Sequence, residues 1–212
     1  ILNMRCIMFL EAIGRNRYGI NSYILADDSN NAVIIDPGIN YQSIVHSLRE
    51  NKLSAKAILL THGHCDHIAD VEKLKNEFSL PVYCHVKDNE LLMNAKHNHS
   101  ESFGLGKIEF SADILIRDGD IIQIEDLSIK VIHTPGHTKG GVCYMYRDML
   151  FTGDTLFAGS MGRTDLYGGN EEHMNNSLRK LSEMEENLTI YPGHGPKSTI
   201  KIEKETNPFL RL

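Results

Sequence analysis

The chain has 212 residues, with 22 Lys and Arg against 28 Asp and Glu, for a formal charge of −6. At roughly 100–200 residues per domain this is one large domain or two small ones, long enough to bury a core without a disulfide staple. The acidic balance argues against a nucleic-acid surface, and no apolar run approaches the roughly 18 residues that cross a bilayer, so neither a nucleic-acid partner nor a membrane is expected.

In chain order, the first ten residues are apolar but lack a basic stretch before a long apolar run and a small-residue cleavage site. No secretory signal is expected, and the cytoplasm is the expected location. Asn21 to Gly38 reads as a hairpin: Ser22–Ala26 is β-rich, 27–31 is a polar turn, Ala32–Ile35 returns, and Asp36-Pro37-Gly38 is a sharp stop. The spacing of Ile44, Val45 and Leu48 predicts a helix over Tyr41 to Asn51. Ala57–Leu60 predicts a short buried strand, and Val71, Leu74 and Phe78 predict a helix from Ile68 to Glu77. Another strand is expected at Val82–His85, after Pro81. The polar stretch Asn94 to Gly106 predicts a loop, with a lid over Asn94 to Phe110 as one use for it. Strands follow at Ile121–Glu125 and Leu127–His133. A second hairpin pairs Val142–Tyr146 with Met149–Thr152 and ends on Gly153-Asp154. A helix is expected from Asn170 to Glu186, with Met174, Leu178 and Leu181 inward.

The two hairpins resemble one another, each ending on an aspartate beside a glycine. Each half also has a strand leading to a Gly–His pair, Gly63-His64 and Gly193-His194. The pattern predicts two similar α/β halves packed face to face, in a single domain over residues 1–212.

Eleven histidines are the unusual feature of the composition. His62-x-His64-x-Asp66-His67 follows a buried strand and leads into a helix. Three imidazoles and a carboxylate so close together suit borderline divalent metals such as zinc, iron or manganese. Alternate positions at a strand end face one way, so His62 and His64 reach one ion, and Asp66 and His67 point to a neighbouring one. Gly63 is expected to permit unusual backbone angles between them. His137, Asp154 and His194 each follow an apolar strand beside a glycine or proline, where an α/β architecture places its binding groups. His46, His85, His97, His99, His133 and His173 read as ordinary surface or core residues unrelated to a metal. Cys6, Cys65, Cys84 and Cys143 form no CxxC pair and read as reduced, small apolar residues. The Cys65 side chain is expected to point away from its ligand neighbours.

Thr61-His-Gly-His-Cys-Asp-His67, Pro135-Gly-His137, Gly153-Asp154 and Pro192-Gly-His194 together resemble the metallo-β-lactamase superfamily, in order and over essentially the whole chain. The resemblance implies an α/β fold of the αββα type, a four-layer sandwich with two divalent ions between the sheet edges, zinc ahead of iron or manganese. It implies that His62, His64 and His137 hold one ion, that Asp66, His67 and His194 hold the other, and that Asp154 bridges them. Asp66 then orients a bridging hydroxide, which is the nucleophile. Asp36 resembles a position that supports the ligand loops.

Within the superfamily, Gly153-Asp-Thr-Leu-Phe157, Gly162-Arg-Thr-Asp-Leu-Tyr-Gly-Gly169 and Thr206-Asn-Pro-Phe-Leu210 resemble short bacterial members of the glyoxalase II group, which hydrolyse hydroxyacylglutathione thioesters. The implied activity is hydrolysis of a small-molecule thioester. Arg163 stands where that group places a basic residue for the glutathione carboxylate, and Asp165 replaces an aromatic residue of the longer enzymes. Tyr167 is a candidate for the rim of the substrate mouth. No counterpart of the longer enzymes' helical C-terminal domain is expected in the stretch after His194, so the thiol carrier does not transfer with the resemblance. The competing expectation is a glutathione persulfide dioxygenase using one iron on His62, His137 and Asp154. A non-enzymatic binding module would have lost ligands, and a β-lactamase would carry an export signal.

Overall fold

The computed structural model describes residues 9–14 and 18–211. Cys6 and most of the N-terminal segment weighed as a signal lie outside them. The first half runs β1 (Phe9–Ile13), β2 (Ser22–Ala26), β3 (Asn31–Ile35), α1 (Tyr41–Glu50), β4 (Ser54–Leu59), α2 (Cys65–Ile68), α3 (Val71–Phe78), β5 (Val82–His85), α4 (Asn89–Leu92) and β6 (Ile114–Ile116). The second runs β7 (Ile121–Ile124), β8 (Leu127–His133), β9 (Val142–Tyr146), β10 (Met149–Gly153), β11 (Leu156–Phe157), β12 (Ser160–Met161), α5 (Glu171–Ser182), β13 (Thr189–Pro192), β14 (Ser198–Thr199) and α6 (Ile200–Thr206). One sheet has the order β1-β2-β3-β4-β5-β6 and the other β14-β13-β10-β9-β8-β7, with β11 and β12 a separate pair.

Alternation along the strands builds four layers. Ile24, Ile34, Ile58 and Val82 face out of the first sheet, against Ile44, Leu48, Val71 and Leu74 of α1 and α3. Leu25, Val33, Ile35 and Leu59 face in, against Leu127, Ile129, Val131, Tyr144 and Phe151 of the second sheet. Met174, Leu178 and Leu181 of α5 cover the outer face of the second sheet at Ile132, Cys143, Leu150 and Ile190. The molecule is the expected αββα sandwich.

The two halves share a plan. An antiparallel hairpin, β2–β3 or β9–β10, is followed by a strand parallel to its second member, β4 or β13. Asp36 follows β3 and Asp154 follows β10; His62 follows β4 and His194 follows β13. The halves also clasp one another reciprocally. The Val142 amide at the start of β9 donates to the Thr61 carbonyl (2.9 Å), and the Asn21 amide ahead of β2 donates to the Gly193 carbonyl (2.7 Å). All four chemistry-bearing positions therefore lie at one rim of the sandwich.

Three expectations change in detail. The helix expected from Ile68 to Glu77 is two, broken at Ala69-Asp70. There the Asp70 amide donates to the Gly38 carbonyl (2.7 Å) and its carboxylate accepts from the Tyr41 amide (2.9 Å), which fastens α1 to the ligand loop. The helix expected to reach Glu186 ends at Ser182, while its start is fixed by Asn170, whose side chain accepts from the His173 amide (2.8 Å). The segment from Asn94 to Gly106 lacks regular structure as expected, but it is pinned from within. Asn98 is fully buried, and its side-chain amide donates to the carbonyls of Leu91 (3.0 Å) and Ile108 (2.9 Å).

Candidate metal centre

β4 stops at Leu59, so His62 and His64 lie in the loop beyond it rather than at alternate strand positions. Their rings still converge, with centroids 4.9 Å apart. Gly63 does not supply an unusual backbone angle between them. It is needed for space, because a Cβ there would sit 2.7 Å from Leu91 Cβ. Its amide donates to Asp88 Oδ2 (3.0 Å). Asp88, which the sequence reading passed over, also accepts from Thr138 Oγ1 (2.7 Å) and the Gly140 amide (2.5 Å). One buried carboxylate thus joins the His62–His64 loop to the loop that carries His137. Burial pushes Asp88 up to about 6.

Every site residue named from the sequence falls at this rim. His62, His64 and His137 offer one nitrogen each within 4.8 Å of one another, and Asp66, His67 and His194 form a second such group. Asp154 lies between the two groups. Its Oδ1 is 3.3 Å from His67 Nε2, and its Oδ2 is 3.5 Å from His137 Nε2 and 3.6 Å from His194 Nε2. Asp66 Oδ2 is 3.4 Å from His194 Nε2 and 3.9 Å from His67 Nε2. Gly193 is required here, since a Cβ on it would lie 2.3 Å from Asp154 Oδ1.

Four of the five rings have a bonded outward nitrogen. His67 Nδ1 donates to Asp36 Oδ2 (3.0 Å), His137 Nδ1 to the Arg163 carbonyl (2.7 Å), and His194 Nδ1 to the Gly19 carbonyl (3.2 Å). Thr61 Oγ1 gives its own proton to Asp36 Oδ2 (2.5 Å), so it accepts from His62 Nδ1 (3.1 Å). Asp36 therefore orients two of the rings, one directly and one through Thr61. The inward atoms are bare. His62 Nε2, His67 Nε2 and Asp154 Oδ1 are buried without a hydrogen-bond partner. His64 Nδ1 faces His137 Nε2 at 2.8 Å, two ring nitrogens turned toward each other. Buried polar atoms are costly without partners, and outward-bonded imidazoles with inward lone pairs are how metal-binding histidines are held. The donor set fits divalent cations at both groups.

The electrostatics agree. Burial and the neighbouring rings, His67 for one and His137 for the other, hold His62 and His64 well below the usual imidazole range, which leaves them neutral as ligands must be. Burial opposes charge on His67, but Asp154, Asp66 and Asp36 outweigh it and draw its pKa well above the usual value. Burial likewise works against the charge of Asp154, and His67 and the other imidazoles overcome it, holding the carboxyl well below its usual value. A cation at His67 thus competes with a proton.

A cavity of about 170 Å³ opens on the cluster, lined by His64, Asp66, His137, Asp154 and His194 together with Cys65, His99, Phe103, Arg163 and Leu166. Cys65 is buried beside the cavity, and burial pushes its thiol up to about 12. Arg163 reaches the mouth, where its Nε and Nη2 donate to Asp165 Oδ1 (2.6 Å) and Oδ2 (2.7 Å), with both side chains exposed. Tyr167 stacks on His97 with ring centroids 3.6 Å apart, and Lys139 Nζ lies 4.9 Å from its ring. The set-aside histidines therefore divide: His99 lines the cavity, His97 stacks on Tyr167, and His85 and His133 stack on each other elsewhere (4.1 Å).

Residues 15–194 match the Metallo-beta-lactamase superfamily. The chain belongs to this superfamily. Among its curated members, hydroxyacylglutathione hydrolase GloC of Haemophilus influenzae is 34% identical over 208 residues, covering 96% of this chain and 98% of its own. Two superfamily crystal structures overlay closely. BLEG-1 B3 metallo-beta-lactamase does so with a TM-score of 0.90 and 37% identity, covering 95% of this chain and 99% of its own. TTHA1623 in a di-iron-bound form does so with a TM-score of 0.84 and 31% identity, covering 94% and 100%. The superfamily fold explains why both hairpins end on an aspartate: Asp154 stands among the inward nitrogens, while Asp36, its counterpart, holds the rings from behind. Among the described residues no helix is long and apolar enough to cross a membrane.

Proposed function

We propose that this chain is a binuclear metallohydrolase of small acyl thioesters, similar in activity to hydroxyacylglutathione hydrolase. The observation that carries the reading is the convergence of partnerless inward atoms on two adjoining donor sets, with four of the five rings fixed from outside. His62, His64 and His137 would hold one divalent ion, Asp66, His67 and His194 the other, with Asp154 between them. The likeness to GloC over nearly the full length of both chains supports the thioester, and TTHA1623 in its di-iron form supports two ions. Zinc is our first choice of metal, with iron and manganese compatible with the same donors. Because the donors come from both halves, neither half holds the pair alone, which supports reading the chain as one domain; we place it in the cytoplasm.

When bound, such ions lower the pKa of water far enough to supply a nucleophile at neutral pH. The chain's own groups position and hold. Asp36 and Thr61 fix the His67 and His62 rings, and Asp66 and Asp154 bring negative charge to offset the cations. A thiolate leaves readily, since thiol pKa values lie near about 8.5, so cleavage of a thioester needs no dedicated general acid. The cavity is smaller than the roughly 300–1,000 Å³ of pockets that engulf drug-sized ligands. It takes the acyl head and leaves the thiol carrier at the mouth, beside Arg163, Leu166 and Phe103.

The one-iron persulfide dioxygenase reading would use His62, His137 and Asp154, which are also together here. The second donor set of Asp66, His67 and His194 is common to both readings, and a metal count per chain separates them: two ions with thioesterase activity for the hydrolase, one iron with oxygen consumption for the dioxygenase. The test compares hydrolysis of S-lactoylglutathione with that of a β-lactam, the amide suggested by BLEG-1, in wild type and Asp154→Ala. Thioester hydrolysis is expected to exceed β-lactam hydrolysis, and Asp154→Ala is expected to lose metal and activity together with the fold retained. Preference for the β-lactam, or full activity in Asp154→Ala, would overturn the reading.

A further inference from the structure

Four of the five cluster histidines have their outward nitrogen bonded, to Thr61, Asp36, the Arg163 carbonyl and the Gly19 carbonyl. His64 is the exception. Its Nδ1 faces His137 Nε2, which makes Nε2 its outward atom, and that atom is buried with no partner. The neighbouring ring is His99, with centroids 5.7 Å apart and planes tilted by 58°. His99 Nε2 is likewise buried with no partner. Two orphaned ring nitrogens thus belong to neighbouring rings at the edge of the ligand cluster.

The backbone is built to place them there. The Cys65 amide, next to His64, donates to the carbonyl of Asn98, next to His99 (2.9 Å). Asn98 is fully buried, and its Nδ2 donates to both the Leu91 and the Ile108 carbonyls. Its Oδ1 also accepts from the Ser100 amide (2.9 Å), bracketing His99 on both sides. His99 itself has φ 67, a left-handed backbone that few residues other than glycine adopt and that concentrates at functional sites.

We propose that His99 is the outer partner of His64: its Nε2 accepts the Nε2 proton that His64 carries once Nδ1 is a metal ligand. His99 is then a positioning residue for the His62, His64 and His137 site, doing for His64 what Asp36 does for His67. The inference rests on the two-ion reading above.

The test uses the full chain stripped of metal, titrated with zinc against a chromophoric chelator. His99→Asn tolerates the left-handed backbone but is too short to reach; His99→Gln places an acceptor near the lost Nε2. Outer partners of metal-bound histidines are worth roughly 10–100-fold in metal affinity. His99→Asn is therefore expected to weaken one of the two zinc sites by about that factor and leave the other unchanged. His99→Gln is expected to recover most of the loss, and the unfolding midpoint of the stripped protein is expected to stay put in both. Wild-type zinc affinity in His99→Asn would overturn the proposal, and a raised KM alongside it would make His99 a substrate contact instead. Equal losses in both variants would reduce the residue to a structural role. A wild type that binds no zinc would remove the two-ion reading itself, and is distinguished because it shows before any variant is made.

Discussion

Arg163 and Asp165 grip one another through two parallel bonds at the cavity mouth. A substrate carboxylate arriving there must displace Asp165 from the guanidinium fork. The pair is exposed, so the competition is modest. Asp165→Asn is expected to lower KM for S-lactoylglutathione by roughly two- to fivefold, with turnover little changed. Arg163→Ala is expected to raise KM more than it lowers turnover. Steady-state kinetics of both variants check this, and unchanged constants would remove the pair from the substrate site. Arg163 was legible from its motif, but its engagement by Asp165 was not, because an i,i+2 pair in a loop carries no periodic signal. Asp88 was hidden for a similar reason. Lys87-Asp88-Asn89-Glu90 reads as an ordinary polar turn, yet three donors from distant loops converge on the Asp88 carboxylate. Asp88→Ala leaves them without an acceptor, and is expected to cost about 2–4 kcal/mol in chemical denaturation and to weaken metal binding.

At the scale of elements, the hairpins β2–β3 and β9–β10 were readable because apolar runs end on Asp-Pro-Gly or Gly-Asp. The helices α1 and α5 were readable from 3.6-residue spacing. The break between α2 and α3 was not, since the apolar pattern runs straight through Ala69-Asp70 and only the contacts of Asp70 with Gly38 and Tyr41 interrupt it. The short strand β6 was missed because Ile114 and Leu115 are exposed and its place depends on pairing with β5. The histidines and aspartates that converge at the rim were all visible, because the chemistry of a candidate ligand restricts residue type. His99 was dismissed because its meaning comes from a loop that the sequence cannot fold. The helix α5 has its own test. Leu178 is fully buried in the outer core of the second sheet, and Leu178→Ala is expected to cost about 2–5 kcal/mol in denaturant unfolding. A cost well under 1 kcal/mol would contradict the packing described.

For the whole molecule, acid sensitivity follows from histidines held neutral. His85 stacks on His133, accepts from the Lys87 amide (3.3 Å), and is pushed down to about 4 by burial, with His133, Lys87 and Arg117 adding to it. A histidine depressed on folding binds its proton in the unfolded chain first. Its contribution is therefore present above about pH 6.5 and lost as pH falls toward 4. Allowing for solvent screening, the loss is about 1–2 kcal/mol. In urea unfolding of the metal-stripped protein, the stability of wild type relative to His85→Phe should fall by that amount between pH 7.5 and pH 4. A constant difference would contradict it.

Two donor sets, each with two residues from the first half and one from the second, would act on a thioester as a unit. The measurement that tests it most directly is a metal titration of the stripped protein with zinc, reading thiol release from S-lactoylglutathione against ions bound per chain. The account predicts release that rises with loading and levels off at two ions. No release at any loading would contradict it, as would full activity at a single ion.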